Sequence, residues 1–261
     1  MSIYYQDEKA TLYRGDALAV LASLPSGSVD ALITDPPYSS GGQFRGDRSQ
    51  SAVSKYSSAM TAGVDFAGDN RDQRAFLAWM GIWLTEALRV VRPGGKCLLF
   101  TDWRQLPTTT DALQVGGWIW RGVVPWSKPG GRPAFKQRAF LNSCEYVVWG
   151  TVGNAVEADD STVPLPGFMR AASPREREHI TQKPVEVMRE LSKIAPEDGT
   201  ILDPFMGSGT TGVAAMIEGR RFVGVEMVEH YQQVAERRIR EAQGQTVDRG
   251  DQGALDFGGV Q

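Results

Sequence analysis

The 261-residue chain predicts an α/β fold: an open, doubly wound, mostly parallel sheet with helices on both faces. Three observations predict it. Apolar runs of strand length alternate with segments of helical period from Ala10 to about Ser127, and again after Glu178. Residues 96–101, KCLLFT, form the near-continuous apolar run of a strand buried on both faces. Two loops rich in chemistry, 35–38 and 203–209, directly follow predicted strands, where ligands sit in such sheets.

The elements follow in order. Thr11–Tyr13 is a short apolar stretch, and Asp16 precedes a helical run from Ala17 to Leu24. Ala31–Thr34 is a strand stopped by Asp35-Pro36-Pro37-Tyr38. Residues 39–70 are Ser/Gly-rich without period and predict a long mobile loop. An amphipathic helix places Phe76, Leu77, Met80, Leu84, Ala87, Leu88 and Val91 on one face, ended by Arg92-Pro93-Gly94-Gly95. Its Trp79/Trp83 and Phe76/Met80 positions suit core or a subunit interface. Trp118–Trp126 and Glu145–Trp149 look like an antiparallel pair, with a Pro/Gly loop, Lys128–Asn142, between them. Thr151–Glu178 lacks a regular period. Pro184 suits a first helical turn before Val187, Met188, Leu191 and Ile194. Strand Thr200–Asp203, a loop to Gly209, a helix from Thr210 to Glu218, strand Arg221–Glu226 and a helix from Glu229 to about Ala242 complete a single domain, 1–242. The tail, 243–261, is expected to be flexible.

Composition limits the chemistry. Two cysteines, Cys97 and Cys144, and two histidines, His179 and His230, supply neither a disulfide framework nor a His- or Cys-rich metal centre. Both histidines suit structural or surface roles. No membrane-spanning run or leader is expected, and the cytoplasm is the expected compartment. A net charge of −3 does not announce a nucleic-acid binder unless the basic residues cluster.

Residues 207–212, Gly-Ser-Gly-Thr-Thr-Gly, lie between a predicted strand and helix, with Glu226 closing the next strand. Glycines let a backbone approach a nucleoside, and the N–H groups opening the helix at Thr210 face it. A carboxylate at Glu226 suits ribose hydroxyls. Asp203-Pro204-Phe205-Met206 precedes the first glycine, and an acid there repels a pyrophosphate but suits a sulfonium. S-adenosylmethionine is the nucleoside that fits; the P-loop pattern is absent.

Asp35-Pro36-Pro37-Tyr38 presents acceptors, the Asp35 carboxylate and the Pro36 carbonyl, beside an aromatic ring expected to be exposed. That arrangement suits the exocyclic amine of a planar base stacked on Tyr38. The plainer reading is a proline-capped strand end.

ThrAspProProTyr at 34–38 and LeuAspProPheMetGlySerGlyThrThr at 202–211 resemble the signatures of amino-methylating, S-adenosylmethionine-dependent DNA methyltransferases. The turn precedes the cofactor loop, as in the circularly permuted β-class. The resemblance implies a Rossmann-like methyltransferase fold with the target-recognition segment, about 128–178, inserted between the motifs. It implies Asp35, Pro36, Pro37 and Tyr38 as catalytic. It implies cofactor contacts from Asp16, Ala17, Asp35, Gln182, Lys183, Asp203, Phe205, Gly207, Ser208, Gly209, Thr210, Thr211, Glu226 and Met227. Asp at position 35 points to N6 of adenine, with N4 of cytosine the alternative. C5-cytosine chemistry is excluded because neither cysteine follows a proline.

Residues 121–140 hold five basic residues and no acid, so Lys128, Arg132, Lys136 and Arg138, with Ser39 and Arg45 of the long loop, are candidates for contacting double-stranded DNA. The resemblance also implies base flipping, a homodimer, no metal, and a bacterial or phage restriction–modification setting. A nicotinamide-dependent oxidoreductase would use the glycine loop but leave the Asp-Pro-Pro-Tyr turn unexplained. A methyltransferase for protein or RNA places its motifs in the reverse order. A non-catalytic DNA-binding relative has no need of both motifs intact.

Overall fold

The computed structural model describes residues 1–38, 71–133, 140–154, 164–172 and 182–244. Nine strands among them form one sheet: β1 (Ser2–Gln6), β2 (Ala10–Arg14), β3 (Val29–Thr34), β4 (Val91–Thr101), β5 (Ile119–Pro133), β6 (Leu141–Thr151), β7 (Met169–Arg170), β8 (Thr200–Asp203) and β9 (Arg221–Glu226). Their spatial order is β1-β2-β9-β8-β3-β4-β6-β5-β7. The stretch β2-β9-β8-β3-β4 is parallel throughout, whereas β1 and β6 pair antiparallel to their neighbours. The helices are α1 (Ala17–Ser23), α2 (Gln73–Val90), α3 (Leu106–Val115), α4 (Val185–Ser192), α5 (Thr210–Ile217) and α6 (Glu229–Gln243).

Alternation along each central strand builds two cores. Ala31, Ile33, Leu98, Phe100 and Ile201 pack with α4, α5 and α6 on one face. Leu32, Cys97, Leu99 and Leu202 pack with α1, α2 and α3 on the other. Both residue sets are almost wholly removed from water, which explains why these strands read as unbroken apolar runs rather than alternating ones. Full burial of one such side chain contributes roughly 1.5–3 kcal/mol. Two helix starts are set by side chains: Asp16 caps α1 through Ala19 N (3.1 Å), and Asp72 caps α2 through Ala75 N (2.9 Å).

The connection β3–α2–β4 runs over one face of the sheet and β8–α5–β9 over the other, so neighbouring β3 and β8 form a topological switch point. A crevice opens at their carboxyl ends. Residues 35–38 and 204–209 both leave the sheet there.

Several boundaries differ from the sequence expectation. Helix α2 stops at Val90, and Val91 is its C-cap and the first residue of β4, not the last of the apolar face. Residues 92–95 belong to that strand, where Gly94 N donates to Val152 O and Val152 N to Gly95 O. The antiparallel pair is longer than expected: Arg132 and Pro133 pair with Asn142 and Leu141 beyond an irregularity at 128–131, where Pro129-Gly130-Gly131 interrupt the ladder. Pro184 is the N-cap of α4. Helix α6 takes in Gln243, whose amide donates to Asp7 (2.7 Å). The sequence pattern does not signal β1, β7 or α3. The loop at 39–70, most of 151–178 and the tail from 245 lie outside the described residues. No helix among the described residues is long and apolar enough to cross a membrane.

Gly209 is the N-cap of α5 at φ 77°, ψ 25°. A Cβ there would stand 2.8 Å from Ala235 Cβ and 3.0 Å from its Cα. Gly209→Ala should therefore destabilise the fold by about 2–4 kcal/mol, from left-handed strain plus overpacking against α6. Urea unfolding measures this, and an unchanged midpoint would show that the loop relaxes freely.

Candidate active site

The crevice has a volume of about 300 Å³. Its walls come from the turn after β3, the glycine loop after β8, the ends of β2 and β9, and α2. Asp16, Ala17, Asp35, Pro36, Pro37, Tyr38, Gln182, Lys183, Asp203, Phe205, Gly207, Ser208, Thr210, Thr211, Glu226 and Met227 all line it. Gly209 does not, and serves the helix start instead.

At the root of the crevice Asp203 joins three elements. It is 2% exposed. Its Oδ1 accepts from Thr34 Oγ1 on β3 (2.6 Å) and from Phe205 N (3.0 Å), and its Oδ2 from Thr211 Oγ1 on α5 (2.5 Å). Burial raises its pKa from 3.8 to about 6 against the pull of those bonds. Glu226, at the end of β9, is also raised by burial. Its Oε1 accepts from Met227 N (2.8 Å) and Val228 N (2.7 Å), and its Oε2 from Gly207 N (3.1 Å). The carboxylate thereby ties the glycine loop to β9.

One end of the crevice is aromatic. The Phe205 ring lies 5.4 Å from Trp79 and 5.1 Å, edge-on, from Trp83. The Arg71 guanidinium stacks 4.2 Å above Trp79. Trp83 is 1% exposed, and its indole N–H has no hydrogen-bond partner among the described residues. Phe76 and Met80 are core as expected, but Trp79 and the deeply buried Trp83 also reach the crevice wall.

The Asp35–Tyr38 turn is already engaged. The Tyr38 hydroxyl donates to Asp35 Oδ1, and the Lys183 ammonium donates to Asp35 Oδ2. Tyr38 is half-buried rather than exposed, because that bond folds its ring over the turn. Lys183 is 3.4 Å from Glu145 Oε2 on β6, and Lys128 on β5 is 2.6 Å from Glu145 Oε1. The predicted DNA contact Lys128 is therefore committed to an internal ion pair. Burial raises the Asp35 pKa, opposed by Lys183. Burial would lower Lys183, but Asp35 and Glu145 outweigh it and leave the ammonium above the ordinary lysine range. Glu145 is held below its ordinary value: burial raises it, and Lys183 and Lys128 more than reverse that.

Sequence reasoning missed Trp79, Arg71, Glu145 and Arg238. Arg238 on α6 donates to Ser208 O (2.5 Å), Ser208 Oγ (3.0 Å) and Thr210 Oγ1 (3.2 Å), bracing the glycine loop from behind. None carries a local motif; an acid at 145 within an aromatic strand was the one visible signal. Ser39, Arg45, Lys136, Arg138 and His179 lie outside the described residues, as does the Arg132 side chain. His230 is at the surface, its ring 5.3 Å from Tyr231.

The switch-point crevice, glycine loop and acidic strand end define a Rossmann-like methyltransferase fold. The chain belongs to the N6_N4_Mtase family of DNA methylases, whose profile matches residues 29–237. It is 29% identical over 231 residues to the putative methylase YubD of Escherichia coli K12, covering 88% of this chain and 90% of that one. Among solved structures it resembles the putative DNA modification methylase TTHA0409 of Thermus thermophilus, in complex with S-adenosyl-L-methionine (TM-score 0.66, 22% identity, 90% and 96% of the two chains). It also resembles the cytosine-N4-specific PvuII DNA methyltransferase (TM-score 0.69, 16% identity, 93% and 94%).

Asp203 generates a pH prediction. Below about pH 4 both states hold its proton; between about 4 and 6 the unfolded chain ionises first, so folding loses stability as pH rises. Relative to Asp203→Asn, wild-type stability should fall by about 3 kcal/mol across that window and stay level above it. Denaturation at stepped pH measures the difference; a flat difference from pH 4 to 6 would refute the raised pKa.

Proposed function

We propose that the chain transfers the methyl group of S-adenosyl-L-methionine to the exocyclic N6 of an adenine flipped out of double-stranded DNA. The observation that carries this is the opening of the Asp35–Tyr38 turn and the glycine loop into one crevice, joined at Asp203. The residues present fit that cofactor. Four carboxylates, Asp16, Asp35, Asp203 and Glu226, face two cations, Arg71 and Lys183, so the crevice favours a cationic ligand over a pyrophosphate. The aromatic end, with a Trp83 N–H that has no partner among the described residues, suits a purine, as does Asp16, and Glu226 suits the ribose hydroxyls. When bound, the cofactor supplies an electrophilic methyl group.

Everything else falls to the chain. A stacked base cannot reach the turn, so it is flipped at a cost of a few kcal/mol. Tyr38 then exchanges its hydrogen bond to Asp35 for a stacking contact with the base. Asp35 and the Pro36 carbonyl accept the amine N–H groups, which draws the nitrogen lone pair out of the ring towards the methyl. As the nitrogen–carbon bond forms, the methyl's bond to sulfur would break and leave a neutral thioether, and the surplus amine proton leaves along its hydrogen bond to Asp35. Catalysis is mostly positioning. Asp at position 35 supports adenine. The PvuII enzyme, cytosine-N4-specific on the same fold, keeps N4-cytosine as the second reading. A recognition segment near 128–178 covers little DNA alone, which supports a homodimer, measurable by light scattering.

The test is expression in a host without adenine methylation, followed by sequencing that detects modified bases. N6-methyladenine in one short motif is expected, and N4-methylcytosine would overturn the base assignment. Asp35→Ala should abolish transfer yet retain cofactor binding, because Lys183 keeps Glu145 as a counter-charge. Loss of cofactor binding with it would remove Asp35 from the proposed role.

A further inference from the structure

We propose that Glu145 is a positioning residue for methyl transfer, holding Lys183 against Asp35 from β6. The inference rests on the amine-methylating reading above and applies equally to adenine and cytosine.

Glu145 stands on β6, outside both signature motifs. One oxygen faces Lys128 at 2.6 Å. The other is buried, accepts no hydrogen bond among the described residues, and lies 3.4 Å from Lys183 Nζ. Lys183 is 7% exposed and has two carboxylates, Asp35 and Glu145, on it. The rings of Tyr38 and Phe100 are each 5.2 Å away. The ammonium is therefore held by two anions, while the two rings add cation–π attraction without a directional hydrogen bond. When the target amine replaces the Tyr38 hydroxyl on Asp35 Oδ1, Lys183 stays on Oδ2, and Glu145 is the second anion that fixes it there. A carboxylate whose position rests on a loosely held lysine would present its acceptor in many poses, and transfer depends on one.

The alternative is that Glu145 only neutralises two lysines in a packed hairpin. The two differ in what Glu145→Gln does. Glutamine has one acceptor oxygen for two ammonium groups, so Lys183 or Lys128 then faces an NH₂. Under the proposal, single-turnover methyl transfer to duplex DNA slows on the order of tenfold to a hundredfold, with cofactor affinity nearly unchanged. The alkaline limb of the rate–pH profile moves to lower pH, since Lys183 loses one of its anions. The charged groups around it, Asp35 after β3, Asp102 after β4, Lys128 on β5 and the Tyr38 hydroxyl, are the same in both proteins. Glu145→Asp, which keeps the charge, should restore the limb and part of the rate. An unchanged rate and pH profile in Glu145→Gln, with a lowered melting temperature, would overturn the proposal in favour of a structural ion pair. Equal losses of cofactor affinity and rate would overturn it too. If the wild-type protein methylates no DNA amine, the functional reading fails and this inference fails with it.

Discussion

The structure depends on one buried carboxylate. Asp203 ends β8, yet its oxygens are shared with Thr34 at the end of β3, the backbone turning into the glycine loop, and Thr211 in the first turn of α5. Parallel strands leave their carboxyl ends without a ladder partner beyond the sheet, and a switch point splays the next segments to opposite faces. Without a tie across that gap, the turn after β3 and the loop after β8 would be positioned independently. The acid is costly to bury, as its raised pKa records, and only three donors make it tolerable. That cost is localised where two halves of a reaction must meet.

The second constraint is that the Asp35–Tyr38 turn, the site of transfer under the proposed function, is satisfied before any substrate arrives. Both Asp35 oxygens have donors, and prolines on the following two positions remove competing N–H groups. A target amine must therefore displace a donor, and the Tyr38 hydroxyl is the dispensable one, because Lys183 remains neutralised only while it faces Asp35 and Glu145. Exchange of one hydrogen bond for another is nearly neutral, so the turn can be ordered in advance without opposing entry of the base.

How much of this is legible in the sequence follows from where the signal resides. The central strands and flanking helices are readable because burial on both faces leaves an unmistakable apolar run, and helix period and Asp caps mark α1 and α2. The glycine loop and the Asp-Pro-Pro-Tyr turn are readable because chemistry confines them to adjacent residues. Trp79 and Glu145 are not: a tryptophan on a core helix looks like core, and a glutamate in a strand looks like surface, until tertiary packing brings each to the site. The end of α2 reads one residue long because Val91 satisfies both the helix face and the strand that begins there. Tyr38 reads as exposed because nothing local reveals that its hydroxyl returns to Asp35.

Charge explains how an acidic protein can serve an anionic polymer. Two basic residues of β5 are engaged within the protein: Arg121, though exposed, donates to Thr151 Oγ1 (3.1 Å), and Lys128 pairs with Glu145. Lys128, Glu145, Lys183 and Asp35 sum to zero, which lets four ionisable groups share a poorly solvated place that no single one of them could occupy cheaply. A neutral amine enters that set without altering its charge. The acidic surplus lies on the other side of Asp203, in the part of the crevice suited to a cation. The −3 of the whole chain thus says little about the site, because the site separates charge: balanced around Asp35, negative on the other side of Asp203.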